Sequence, residues 1–395
     1  MHISVFMGPL SVHESSDKRM IDLCLDQARR CADEGFAMVT FGEQHFNNYE
    51  PYSNPFMMAA RLAPHLGRTW FATTIVPLNF HNPLRVAEDS NIADLLTQGR
   101  FLLGVSAGRT VPGDFANFGL DMSQRDEMFA SKLDILIAAQ RKKAADPPIF
   151  VDTPWDKGQV LGRMMPVSWR RGGAQIAVGT NTDTSIDETA RRGLPLFLGP
   201  CDIETASAKL ARHRDGLAAA GHSQVVQQDA ASKSLVTRLI FVGNTDEEAW
   251  ANAEALSGSS PMIDRSQDRR SLRELASVDP ASLDDGTEKY PRNVAYARAW
   301  LTAGSPDTLI KEFAHREAAG IQNFNVRFMA GMADPELVNK EFDLFVSEVL
   351  PHVGSSVYAE LTPGEIDPVH TSATPIPATA LAGAARPGAG WEARK

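Results

Sequence analysis

Four short segments concentrate side chains that could do chemistry, each next to glycine or proline. They are Gly42-Glu43-Gln44-His45-Phe46, Asn79-Phe80-His81-Asn82-Pro83, Gly104-Val105-Ser106-Ala107-Gly108-Arg109, and Gly179-Thr180-Asn181-Thr182-Asp183-Thr184-Ser185. His45 is an acid–base candidate, because an unperturbed imidazole titrates near pH 6.5. The alternative is a neutral histidine that holds its loop against Glu43. In the last segment Gly179 allows close backbone approach, hydroxyls follow, and a helix start offers unpaired N–H groups to an anion. Plain capping by Thr184 or Ser185 accounts for the same residues. The third segment also satisfies G-x-S-x-G, the nucleophile elbow of serine hydrolases, with Ser106 as nucleophile and a later histidine such as His315 as base. That motif needs a helix directly after the serine, whereas Arg109–Asp114 here reads as a loop. No H-E-x-x-H or similar spacing points to a metal, and neither G-x-G-x-x-G nor a phosphate-binding P-loop occurs.

Each segment ends an apolar run that precedes an amphipathic stretch. Runs at 3–7, 37–41, 70–76, 101–106, 175–179, 196–198, 235–242 and 322–328 read as strands. Helical patterns follow at 18–34, 54–65, 83–97, 124–143, 185–192 and 203–220, then from Asp246 and at 335–350. Gly35 and Gly99 end two of these helices. Eight strand-then-helix units predict a closed (β/α)8 TIM barrel with insertions rather than an open sheet. In such a barrel the loops after the strands carry the chemistry, which is where the four segments fall.

Composition narrows the function classes. The 395 residues carry 39 Lys and Arg against 49 Asp and Glu, a formal charge of −10. That sign argues against nucleic acid as a partner. No apolar run is long enough for a membrane helix, and the N-terminus lacks the basic start of a signal peptide, so a cytoplasmic protein is expected. Three cysteines form no disulfide framework, and Cys24 and Cys31 read as buried thiols on one helix face. The polar stretch 257–292 interrupts the alternation, and an Ala-, Pro- and Gly-rich tail at 360–395 reads as disordered.

Taken together, the segments resemble the bacterial luciferase-like, flavin-dependent monooxygenases. The strongest stretch runs from His81 to Asp121, HNPLRVAEDSNIADLLTQGRFLLGVSAGRTVPGDFANFGLD. Glu43-Gln44-His45-Phe46, the stretch from Thr180 to Arg192-Gly193-Leu194-Pro195, and the closing units from Gly304 to Pro351 add to it. The similarity covers roughly residues 1–355 and leaves out the tail.

The resemblance implies a TIM barrel that binds reduced FMN at its mouth, reacts it with O2 to a C4a-peroxyflavin, and oxygenates a small organic substrate. Carried over by position, Thr182 and Ser185 meet the flavin phosphate, with Arg125 as cationic partner. Ser106, Ala107, Gly108 and Arg109 pass close to the ring, and His45 and Asn82 flank it as catalytic candidates. A separate NAD(P)H:flavin reductase supplies reduced FMN, the protein is a homo-oligomer, and 257–292 corresponds to a mobile lid. An F420-dependent oxidoreductase of the same fold is the alternative cofactor reading. Two departures count against aldehyde-dependent light emission. Luciferases have a histidine base where this chain has Gln44, which cannot exchange a proton near neutrality, and a reactive cysteine where it has Ser106.

Overall fold

A computed structural model describes residues 1–109, 111–257, 263, 266, 268–279, 292–329, 334–354, 357–362 and 364–367. Eight parallel strands close into a barrel: β1 (His2–Phe6), β2 (Met38–Phe41), β3 (Trp70–Thr73), β4 (Phe101–Ser106), β5 (Gln175–Gly179), β6 (Leu196–Leu198), β7 (Leu235–Val242) and β8 (Asn323–Arg327). β1 pairs with β2 and β8, and β7 pairs with β6 and β8, so the ring has no free edge. Helices α1 (Glu14–Asp33), α2 (Pro55–Leu62), α3 (Pro83–Leu96), α4 (Arg125–Gln140), α5 (Asp183–Arg191) and α6 (Ile203–Ala219) follow the first six strands. The expected (β/α)8 architecture is present, with each strand within a few residues of its apolar run.

Local sequence explains the boundaries. On α1, Met20, Leu23, Cys24, Ala28 and Cys31 recur at three- and four-residue steps and are all buried. Both thiols of this helix are therefore core residues. Gly35 ends the helix at φ +75°, a left-handed conformation that suits glycine. Pro83 opens α3 behind Asn82, whose side chain accepts from the amides of Leu84 and Arg85.

Several elements were not evident from periodicity. Ile149–Asp152 and Lys157–Val160 form an antiparallel hairpin between α4 and β5. Gln224–Lys233 is a helix between α6 and β7. Leu301–Gly304 is a further strand, pairing with the far half of β7 while the first two residues of β7 pair with β6. Of the expected lid, 268–279 is described: Ser271 and Glu274 form a capping box on a short helix, Leu272–Ala276. Leu272 and Leu275 pack into a satellite core with Phe241 and Val294. The remaining lid residues, Arg265 among them, lie outside the described residues apart from 257, 263, 266 and 292.

The barrel interior has two characters. Toward the start of the strands Met38, Trp70, Leu102, Phe197 and Leu235 pack together with Tyr358. Toward the strand ends Asn325 hydrogen-bonds the Thr40 and Thr237 hydroxyls. Tyr358 comes from beyond the last helix and closes the floor. Its hydroxyl accepts from Asn323 Nδ2 at 2.7 Å, and its ring meets those of His2 and Trp70. The described part of the tail then crosses the same end. Arg171 N–H donates to the Glu365 carbonyl and Asp367 N–H to that of Trp169. Residues 368–395 of the tail lie outside the described residues.

Tyr358→Ala should therefore destabilise the barrel by about 3 kcal/mol through the cavity it leaves, and Tyr358→Phe by about 1 kcal/mol through the lost hydrogen bond. Urea unfolding of the two variants measures both, and equal, negligible losses would show that the floor is not a packed part of the core.

Candidate active site

The ends of β2 and β3 meet at one carboxylate. His45 Nε2 donates to Glu43 Oε1 at 2.7 Å, and His81 Nε2 donates to the same oxygen at 2.5 Å. With Nε2 donating, Nδ1 is the nitrogen of each ring left for a further partner. Glu43 is buried. Burial alone would push its carboxyl up, but the hydrogen bonds and charges of His45 and His81 outweigh it and hold the group below the usual carboxylate range. Lys132 on α4 steadies the arrangement from behind: its ammonium donates to the His81 carbonyl at 2.7 Å and pairs with buried Asp156.

An aromatic wall borders these histidines. Phe118 stacks on Phe80 at 4.7 Å and meets His45 edge-on at 4.9 Å. Together with Ile75, Gly108 and Arg109 they line a cavity of about 90 Å³ at the strand ends. Arg125, Thr182 and Ser185 stand outside this inner space.

The β4 loop is tied to α4. Buried Asn79 donates from Nδ2 to the carbonyls of Ala107 and Arg125, and Arg125 Nε returns a bond to the Gly108 carbonyl at 2.9 Å. Arg109 forms a two-point contact with Asp114. β5 runs beside β4 with Val178 opposite Val105, and an added Cβ at Gly179 would lie 3.7 Å from Ser106 Cβ. The loops after β4 and β5 thus leave the barrel side by side.

The loop after β5 is open to a ligand. Thr182 occupies the N-cap of α5 without a side-chain cap bond, and Thr184 and Ser185 do not cap it either. Asp183 in the first turn is drawn aside by Arg212 at 2.9 Å, and Lys209 Nζ donates to the Asn181 carbonyl. Hydroxyls, amides and nearby cations therefore collect at one helix start.

Other expected residues fare differently. Asn82 is exposed and spends its oxygen capping α3, so the side chain that reaches Glu43 from this loop is its neighbour His81. Ser106 makes no elbow: its Oγ accepts from Gly108 N–H, and no helix starts after it before Pro112. His315 is exposed on the helix Pro306–Ala318, while Ser106 is buried. Glu43, His45 and His81 place three ligand atoms within 4.8 Å of one another, a two-histidine, one-carboxylate set that could hold a metal ion. Sequence spacing concealed it, because His81 arrives from a different strand.

Comparison with known proteins accords with this geometry. The sequence profile of the luciferase-like monooxygenases matches residues 1–323. The chain belongs to the luciferase-like monooxygenase family. An alkanal monooxygenase alpha chain from the Kryptophanaron alfredi symbiont is 30% identical over 42% of this chain and 44% of that protein. The chain thus matches less than half the length of that alkanal monooxygenase alpha chain. The 2,5-diketocamphane 1,2-monooxygenase 2 of Pseudomonas putida is 23% identical over 90% of this chain and 100% of its own. The same fold is found in the oxygenating constituent of Pseudomonas putida 3,6-diketocamphane monooxygenase, solved in complex with FMN. There the TM-score is 0.71 at 18% identity, over 90% of this chain and 99% of that one.

As a member of this family the chain keeps the acidic-then-histidine order after β2 but places Gln44 between Glu43 and His45. The histidine pair of the site is instead assembled across two loops, on Glu43. Glu43→Gln should cost roughly 1.5–3 kcal/mol at pH 7, the range for hydrogen bonds to a charged group. The lowered folded-state carboxyl stabilises the protein above the usual carboxylate range, and this contribution disappears as pH falls through the depressed value. Urea unfolding should therefore show the gap between wild type and variant narrowing below about pH 4. A gap independent of pH would contradict the charged state of Glu43.

Proposed function

We propose that this protein is the oxygenating component of a two-component, FMN-dependent monooxygenase. The observation that supports this reading most directly is the uncapped start of α5 standing beside the β4 loop, to which Arg125 is bonded. Thr182 and Ser185 would hold the FMN phosphate with the first amides of α5, and Arg125 would supply the cationic partner. The backbone from Ser106 to Arg109, free of bulky side chains until Arg109, would support the ring face. When bound, reduced FMN supplies the electrons that activate O2 and lets one oxygen atom pass to an organic substrate.

The chain's own residues define the rest. His45, aligned by Glu43, stands within the cavity to hold or donate a proton at its ring nitrogen. Phe80 and Phe118 shield the same space from water, which favours transfer to substrate over loss as hydrogen peroxide. Reduced FMN would come from a separate NAD(P)H:flavin reductase, since the chain has no dinucleotide fingerprint. Gln44 and Ser106 favour oxygenation of an organic substrate without aldehyde-dependent light emission.

Anaerobic titration with reduced FMN tests the phosphate site. Arg125→Ala should weaken FMN binding by roughly 10- to 100-fold, the equivalent of one charge-assisted hydrogen bond. Reduced riboflavin, which lacks the phosphate, should bind wild type and variant alike. Equal FMN affinity in the two proteins would contradict the assignment. Tight F420 binding without oxygen uptake would transfer the reading to a deazaflavin oxidoreductase.

A further inference from the structure

Glu50 joins three features that seldom occur together without a use. Its residue is 5% exposed, and carboxyl oxygen Oε2 has no hydrogen-bond partner. It lines the same cavity as His45 and Arg109. Its backbone is held at φ +54°, in the left-handed region that a glutamate rarely adopts. The conformation is enforced from both sides: Glu50 N–H donates to the Pro9 carbonyl at 2.9 Å, and the Glu50 carbonyl accepts from Ser53 N–H at 2.9 Å. Gly42 completes the fit, because a Cβ there would overlap the Glu50 carboxylate.

The surroundings set the charge. Burial pushes the Glu50 carboxyl up to about 7, against the pull of Arg327 at the end of β8 and of Arg109 after β4. Glu43 adds to the rise. The other titratable groups that face it are Tyr52, whose hydroxyl is already bonded to the Met7 carbonyl, and the buried Cys24 thiol on α1. Neither releases a proton near neutrality, since burial raises both. Arg327 is committed to the carbonyls of Met329 and Gly8, and Arg109 to Asp114. Among the described residues, no cation therefore forms an ion pair with the Glu50 carboxyl.

We propose that Glu50 is a catalytic acid–base residue of the mouth, exchanging a proton between its carboxyl group and an oxygen atom of the ligand held against His45 and Arg109. As an acid, its O–H bond breaks, an electron pair of the ligand oxygen takes the proton, and the carboxylate stays in the field of Arg327 and Arg109. As a base, the carboxylate removes a proton from the ligand or from water, which restores the acid. Glu50 thus supplies the proton exchange that Gln44 cannot. This proposal rests on reading the mouth as an oxygenase site.

Two readouts test it, on the full chain and with Glu50→Gln and Glu50→Asp. The first needs no cofactor: infrared difference spectra of the ligand-free protein across about pH 5.5 to 8.5. The spectrum of wild type minus Glu50→Gln should contain one carboxylic C=O band that vanishes with a midpoint near 7. The second mixes the protein with reduced FMN and O2 and follows flavin reoxidation against pH. Wild type should change rate by about tenfold across neutrality, Glu50→Asp should keep an inflection at a shifted pH, and Glu50→Gln should vary by less than about twofold. A missing carbonyl band, or an unchanged inflection in Glu50→Gln, overturns the role of Glu50. If wild type binds no FMN, the flavin reading fails instead, and the infrared result alone decides whether Glu50 carries the exchangeable proton.

Discussion

The parallel pairing of Val105 on β4 with Val178 on β5 is the constraint from which the site follows. A closed barrel of parallel strands sends every strand end to one face. Register then decides which loops are neighbours. With these two residues opposed, the loops that begin at Ser106 and Thr180 leave the barrel side by side, and Arg125 reaches back to Gly108 from the next helix. Strand pairing alone thus sets the uncapped start of α5 beside the β4 loop to which Arg125 is bonded. The inner cavity lies on the other side of the β4 loop, toward β2 and β3, so an elongated ligand would span both regions.

The inner region depends on how charge is buried. Glu43 is stable as an anion because two histidines donate to it, and they in turn are oriented by it. Glu50, a few residues along the same loop, lacks such donors and stays near the point where it can gain or lose a proton. Two carboxyls on one loop are thus driven in opposite directions by their partners. That separation is a recurrent way of assigning different proton-handling roles to chemically identical groups. It also shows how a chain with Gln44 at the expected base position can retain acid–base capacity.

Much of the barrel was legible in the sequence, because burial of strand faces and helix stripes leaves strong periodic signals. β4 and β6 coincide with their apolar runs, and Gly35 and Gly99 mark helix ends by their left-handed backbone. The Leu301–Gly304 strand was hidden because Leu301 is its only large apolar side chain, too little to stand out. The hairpin Ile149–Asp152 with Lys157–Val160 is half exposed and carries no apolar alternation. Tyr358 lies between the last expected helix and the stretch that reads as tail, in no periodic element, yet its ring seals the barrel floor. At the site, His45 and the β5 hydroxyls could be found by motif, whereas His81 and Glu50 needed tertiary structure. Asn82 shows the limit of position-by-position transfer: a polar residue ahead of a Pro-initiated helix is also an ideal cap, and here it is one.

The most direct measurement is a crystal structure of the protein with FMN bound. The phosphate should lie at the start of α5, within hydrogen-bond reach of Thr182, Ser185 and Arg125, with the ring along Ser106–Arg109 facing His45. An FMN phosphate bound elsewhere, with the α5 start solvated and Arg125 turned away, would contradict it.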